Sequence, residues 1–368
     1  VNPKWFYPVL IGMTLFSAIA HYFLGNEMIR FAAASFSLLF WAVLLGKATE
    51  STAHYAGERL GGFLNATFGN AAELIIAIFL VREGLIGMVK ASITGSIIGN
   101  MLLVLGLSLL LGGLKHKTQT FNQMLAGHNA SLMMLAVIAL FISAAFFRDL
   151  ATGEAHLLSL TISGLLILGY LLWLLFSMVT HKELLSNTAS SPRGKEEEEI
   201  PAVAAAQNQA FTEEKPDWSL KISILLLLIS TVFVAVQSEW LVGSIEAVAH
   251  TLGWSDLFIG AFLIAIIGNA AEHSAAIFLA LKDRVDATVE IAIGSSLQIA
   301  LFVAPTLVFI SLLFRKPMEL IFTGYELVAI AVSVLIATSI SRDGSTNWYE
   351  GVLLLIVYAI LGTAFFMA

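Results

Sequence analysis

Gly69-Asn70-Ala71-Ala72-Glu73 recurs unchanged as Gly268-Asn269-Ala270-Ala271-Glu272, 199 residues further along the chain. The same offset, without a gap, lays Ala77-Ile78-Phe79-Leu80 on Ala276-Ile277-Phe278-Leu279 and Gly95-Ser96 on Gly294-Ser295. Trp41 falls on Trp240, and Gly61-Gly62-Phe63-Leu64 on Gly260-Ala261-Phe262-Leu263. Between positions 41 and 104, 21 of 64 residues match their counterparts. That is well above chance even in an apolar-rich chain, so the two halves form an internal repeat.

The medium around the repeat follows from composition. With 368 residues, 58% hydrophobic and 12% charged, and a mean hydropathy of +0.88, the chain has more apolar surface than a water-soluble core could bury. A lipid bilayer is its expected surrounding. Apolar runs of about 20 residues, each long enough to cross about 30 Å of hydrocarbon as a helix, recur along nearly the whole length. Residues 220–236 are apolar on every face, which excludes the alternating strands of a β-barrel. The expected fold is an all-α membrane protein.

Charged and turn residues cut the chain into eleven expected transmembrane helices: 5–25, 28–57, 61–82, 85–113, 121–147, 155–180, 219–251, 255–281, 286–314, 318–341 and 346–367. The first apolar run lacks a signal-peptide cleavage pattern and is read as a true span. The long polar interruption holds three of the seven prolines and four consecutive glutamates at 196–199, and reads as a solvated linker. The organisation is therefore an extra, peripheral N-terminal transmembrane helix (1–27), a first five-helix repeat (28–180), an acidic cytoplasmic linker (181–217) and a second five-helix repeat (218–368). An odd number of helices per copy places the copies in opposite orientations, the inverted repeat of secondary transporters.

Lys and Arg number twelve on the side of the N-terminus and linker and six on the other, with Lys47 inside a span. The positive-inside rule then puts the N-terminus in the cytoplasm and the C-terminus outside. The net charge of −7 gives no reason to expect a nucleic-acid partner. Zero cysteines exclude disulfides and thiolate metal sites.

Glu73 and Glu272 fall near the middle of matching spans. A carboxylate at the bilayer centre costs roughly 2.5–3.5 kcal/mol on insertion scales, so such groups are rare and face cavities or partners. Asn70 and Asn269 precede them by three residues and share their helix faces. The small residues between let two backbones approach. Paired carboxylates with amide oxygens make a hard shell suited to a divalent ion of the calcium kind, and Glu73 and Glu272 are its metal ligands. Protonation of the same groups would release the ion. Ser96, Ser295 and Gln298 add polar groups to the helices that follow, and Pro305 opposite Gly106 suggests that both bend. Glu50 and Glu239, which the offset does not pair with each other, and His273, beside Glu272, are accessory acidic or gating candidates. The glutamates at 196–199 bind calcium weakly or serve as a solvated linker. There is no HExxH, GxSxG or Walker-type loop, so neither an enzyme nor an ATP-driven pump is expected.

Residues 69–75 (GNAAELI) and 268–274 (GNAAEHS), with eleven spans and an acidic loop after the sixth, resemble the calcium/proton exchanger family of the calcium:cation antiporter superfamily. The resemblance implies a secondary active antiporter that exports calcium in exchange for protons by alternating access. In that family Glu73, Glu272, Asn70, Asn269, Ser96, Ser295 and Gln298 take ion-pocket roles, and Glu50, in residues 46–50 (GKATE), an accessory acidic one. Some members carry an acidic residue where this chain has His250. No cofactor is implied: calcium and protons are the substrates. A prokaryotic cell membrane is the expected location, and a homo-oligomer is compatible with the sequence. The alternatives are a sodium-driven calcium exchanger, whose acidic motifs differ, and a cation channel, which would lack proton coupling.

Overall fold

The computed structural model describes residues 4–147, 152–180, 216 and 218–368. The expected linker at 181–217 lies outside these apart from Pro216, and the glutamates at 196–199 lie wholly outside them. Among the described residues the fold is helical apart from one small two-stranded sheet. In lipid every backbone amide must be satisfied within its own segment, and helices do this.

The first half runs α1 (Phe6–Phe23), α2 (Glu27–Phe68), α3 (Ala71–Glu83), α4 (Ile86–Ile98), a π-helical stretch (Gly99–Val104), α5 (Leu105–His116), β1 (Thr118–Thr120), α6 (Gln123–Phe147) and α7 (Thr152–Leu175). The second half runs α8 (Leu220–Leu252), α9 (Asp256–Gly268, π-helical over Ile259–Ile264), α10 (Ala270–Leu281), α11 (Val285–Gln298), a π-helical stretch (Ile299–Val303), α12 (Ala304–Leu313), α13 (Gly324–Ile340), β2 (Ser345–Asn347) and α14 (Trp348–Met367). Among the described residues eight helices are long and apolar enough to cross a membrane, and α9 with α10, bent by 62°, brings the number to nine.

Four expected spans take a different form, and the one at 255–281 is broken at Asn269. Residues 28–57 and 61–82 are not cleanly separate: α2 runs on to Phe68, interrupted at Gly57, whose φ of 76° and ψ of 171° suit a residue without a Cβ. The span at 61–82 is then broken at Asn70. The span at 318–341 begins only at Gly324, after a non-helical approach, where Thr323 and Glu326 form a capping box. The expected bend near Pro305 is a π-helical stretch ending just before the proline, which sits in the first turn of α12 and needs no amide partner there. A similar stretch precedes Gly106 without any proline.

α2 and α8 lie antiparallel along much of their length. Trp41 stacks on Phe233 at 4.2 Å, and Ser51 and Ser223 share a hydrogen bond of 2.7 Å. α1 leans on this pair through Ser17, which donates to Gln237 at 2.6 Å, while Ile11, Leu15 and Ile19 stay exposed as a lipid-facing row.

One end of the bundle is marked by β1 and β2, paired antiparallel from Thr118–Asn347 to Thr120–Ser345. At this β end Gln119 donates to Asp283 at 2.7 Å, and the Asn122 amide to Asp286 at 2.5 Å. Arg82 and Glu239, paired at 2.9 Å, lie toward the far end. Gly106 and Gly351 let α5 and α14 touch: a Cβ on Gly106 would reach the Gly351 carbonyl at 3.1 Å.

Candidate ion-binding site

Both repeated motifs sit where a helix is interrupted. Asn70 (φ −97°, ψ 23°) separates α2 from α3, and Asn269 (φ −93°, ψ 5°) separates α9 from α10. These angles lie in the bridge region, which ends the regular hydrogen-bond ladder without reversing the chain. Glu73 and Glu272 consequently occupy the first turns of α3 and α10. There, free amides and the positive end of the helix dipole favour negative charge.

The two motifs face each other across the halves. A Cβ on Gly268 would lie 2.8 Å from Glu73 Cγ, so the bare glycine admits that side chain. The carboxyl groups are close enough to act on one another electrostatically. Ser96 and Asn269 are hydrogen-bond partners of Glu73, and Ser295 of Glu272, so the counterpart serines hold counterpart glutamates. Asn70 donates through Nδ2 to Gln298 Oε1 at 2.6 Å. Asn269 Nδ2 donates to Ser96 Oγ at 2.9 Å and to the Ala265 carbonyl at 2.8 Å.

Asn100 extends this cluster. Its Nδ2 donates to Asn269 Oδ1 at 3.3 Å, and its Oδ1 lies 3.2 Å from His273 Nε2, a bond made by the tautomer with hydrogen on that nitrogen. The two halves are served alike but not identically: Gln298 supports Asn70, and Asn100 supports Asn269, although the offset pairs Gln298 with Gly99. That one-residue slip is why the offset alone does not single out Asn100.

On the two repeated motifs, three buried oxygens remain without a protein donor: Asn70 Oδ1, Glu73 Oε1 and Glu272 Oε2. They come from the two interrupted helices and form the acceptor-rich set a hard cation needs. No group of three or more His, Asp or Glu side chains converges among the described residues, so the set is two carboxylates and amides rather than a carboxylate cage.

The accessory candidates are dispersed. His273 joins the polar chain through Asn100. Glu239 sits apart from it, about half exposed, in its pair with Arg82. Glu50 lies on the part of α2 before Gly57 and is partly buried. Glu290, a buried glutamate of α11 outside the candidates named from sequence, accepts from Asn129 of α6 at 2.8 Å. An acidic residue in an apolar run was the available signal, but its repeat counterpart is Ala91, so the offset gave it no emphasis.

A bundle of apolar helices with two interrupted helices meeting at buried carboxylates defines a membrane exchanger. The crystal structure of the Ca2+/H+ antiporter protein YfkE is similar to it, with a TM-score of 0.82 and 38% identity, covering 100% of both chains. The chain belongs to the sodium/calcium exchanger protein family, whose model matches residues 9–179 and 222–367, and within that superfamily to the calcium/proton exchangers. It is 44% identical to the Ca(2+)/H(+) antiporter ChaA of Bacillus subtilis, over 100% of each chain. It is 45% identical to the Ca(2+)/H(+) antiporter of Aphanothece halophytica, over 97% of this chain and 96% of that one.

Proposed function

We propose that this protein exports calcium in exchange for protons through one shared site, in which Glu73 and Glu272 bind either the metal or protons. As a calcium/proton antiporter it is a secondary transporter, not an enzyme, and calcium and protons are its substrates. It resides in the cell membrane as an integral protein.

The observation that carries the site assignment is the set of donor-free oxygens on Asn70, Glu73 and Glu272. A calcium ion takes six to eight oxygens in flexible geometry, and two carboxylates offset its charge. Asn269, Ser96, Ser295 and Gln298 orient that set, and His273 tunes it through Asn100. Glu50 lines the approach from the α2 side, and Glu239 belongs to the far-end surface.

Eleven crossings, in two inverted five-helix repeats (28–180 and 218–368) with 1–27 as a peripheral helix, give this site its place at the midplane. The matching interruptions at Asn70 and Asn269 and the matching π-helical stretches support that arrangement. In the proposed orientation the β end and the linker at 181–217 face the cytoplasm. The halves then expose the site to one side at a time.

The test is calcium uptake into proteoliposomes under an imposed pH gradient with no sodium present. Uphill uptake in the parent, abolished by Glu73→Gln and by Glu272→Gln, is the expected result. Uptake that survives either substitution would remove the shared site. Uptake that appears only when sodium is supplied would move the protein to sodium-driven exchange.

A further inference from the structure

Glu290 lies in α11, just over two helical turns from Gln298 toward the β end. It is 5% exposed, and Asn129, itself buried, donates to its Oε2 at 2.8 Å. The ion site described above does not use it.

Its position acquires meaning from the repeat. The counterpart of Glu290 is Ala91, and Ala91 supports a very close packing: a Cβ on Gly260 would meet Ala91 Cβ at 2.5 Å and the Met88 carbonyl at 2.8 Å. In the same contact Gly95 lies directly on the Ala261 backbone. α9 is therefore seated on α4 toward the far end. The counterpart of Gly260 is Gly61, whose nearest neighbour is instead the Ala53 carbonyl of its own helix, across the break at Gly57. Seating residues 58–68 on α11 as α9 is seated on α4 would bring Gly61 onto positions 287 and 290. Position 290 then carries a carboxyl group where the other half has a methyl.

We propose that Glu290 is a second proton site of the exchanger, whose neutral form is required for residues 58–68 to close onto α11 and shut the β end. The inference rests on the alternating-access reading above. Glu290 is already nearly buried, and closure would remove the water contact that remains, leaving a charged carboxylate with one amide donor, a state far costlier than the neutral acid with the same donor. The proton binds from the β end before closure and returns there after reopening, so it adds nothing to the number of protons transported per calcium. Glu290 thereby makes closure sensitive to pH on one side only.

The charged and titratable groups on the surrounding elements have other engagements. Asp286, one turn earlier, accepts from the Asn122 amide. On α10, Glu272 is held by Ser295 and His273 by Asn100. On α6, His128 stacks on Trp173. Lys115 and His116 of α5 both reach the Leu281 carbonyl, Lys90 of α4 the Ile321 carbonyl, and Asp283 is bound by Gln119. Lys282 and Arg284 flank Asp283 in the loop before α11, and in sequence the closing segment carries Glu58 and Arg59. What acts on the Glu290 carboxyl is its burial and Asn129.

Because the chain has no cysteine, spin labels attached at Leu64→Cys and Lys282→Cys report the separation of the closing segment from the foot of α11. The expected result is a short-distance population that grows from alkaline to acid pH in the parent background and is equally large at both with Glu290→Gln. Glu290→Ala, which installs the counterpart's residue, gives the same result and covers a folding failure of the first variant. An unchanged pH response in both variants overturns the inference. In proteoliposomes, the dependence of the initial rate on β-end pH should weaken by roughly tenfold per pH unit, the change one titrating group gives, leaving the part that arises from proton competition at Glu73 and Glu272. The proton-to-calcium ratio should stay at the parent value, and a changed ratio would also overturn the proposal. The distance measurement needs no calcium movement, so a parent that takes up no calcium would count against the exchanger reading separately.

Discussion

At Gly268 the space for one hydrogen atom governs the placement of a carboxylate. A methyl group there would press on Glu73 Cγ, at 2.8 Å, and overpacking of this kind costs about 1–3 kcal/mol. Gly268→Ala is expected to weaken calcium binding about tenfold, corresponding to about 1.4 kcal/mol, as read by calorimetric titration in detergent. Gly12→Ala, at a glycine with nothing within 4 Å, should leave binding unchanged. Asn70 and Gln298 give a second test. Gln298→Leu strands the Asn70 amide, and a buried donor left unmade costs about 1–3 kcal/mol. Its thermal unfolding temperature should fall, whereas Asn70→Leu combined with Gln298→Leu should lie nearer the parent in stability while losing calcium binding. The residue-level signal that was legible beforehand was the repeat: it marked Asn70, Glu73, Ser96, Asn269, Glu272 and Ser295 in pairs. Asn100 and Glu290 lacked paired counterparts of like chemistry, so the offset did not emphasise them.

Along the elements, hydropathy located nine of the eleven expected spans as helices long and apolar enough to cross a membrane among the described residues, counting the bent pair α9 and α10 as one, because burial in lipid demands long apolar runs regardless of what happens inside them. It could not register an interruption of one residue. Asn70 and Asn269 take bridge-region angles in the midst of apolar sequence, and the helix resumes at once on either side. The expected span 318–341 is longer than α13 for the opposite reason: residues 318–323 are apolar enough to continue a span, yet Met318, Leu320 and Phe322 are buried in a non-helical approach to the capping box. Thr323→Ala removes that cap and should cost about 1 kcal/mol, seen as a lower unfolding temperature. Gly260→Leu acts on the contact between α9 and α4, where even a methyl has no room. It should keep the far end from closing, with increased reagent access to a cysteine introduced at Leu263 as the readout.

Across the whole molecule, calcium binding and proton binding compete for the same carboxylates in the proposed site. Ligands must be deprotonated to hold a metal, so affinity is highest at alkaline pH and falls as protons occupy the pair. Calcium should therefore raise the unfolding temperature by mass action at alkaline pH and do so progressively less as the pH is lowered. Glu73→Gln should remove this increment at every pH. The proposed orientation rests on charge counting, and lysines and arginines at helix ends bear on the sidedness of insertion and say nothing of how the halves meet. Their meeting depends on close contacts such as Gly95 on Ala261 and Gly106 near Gly351, whose partners are distant in sequence.

The three donor-free oxygens also bear on hydration. Calcium takes six to eight oxygen ligands, and Asn70 Oδ1, Glu73 Oε1 and Glu272 Oε2 supply three. Even if the second oxygen of each carboxylate turned toward the ion, five would be in place, and water would complete the shell. An ion that sheds only part of its water can enter and leave without the full cost of dehydration. Magnesium, which holds its water more tightly and demands near-ideal octahedral geometry, would meet a site too loose to replace what it gives up. Discrimination between the two ions would then arise from the willingness of each to surrender water, with speed of exchange following from the same incompleteness.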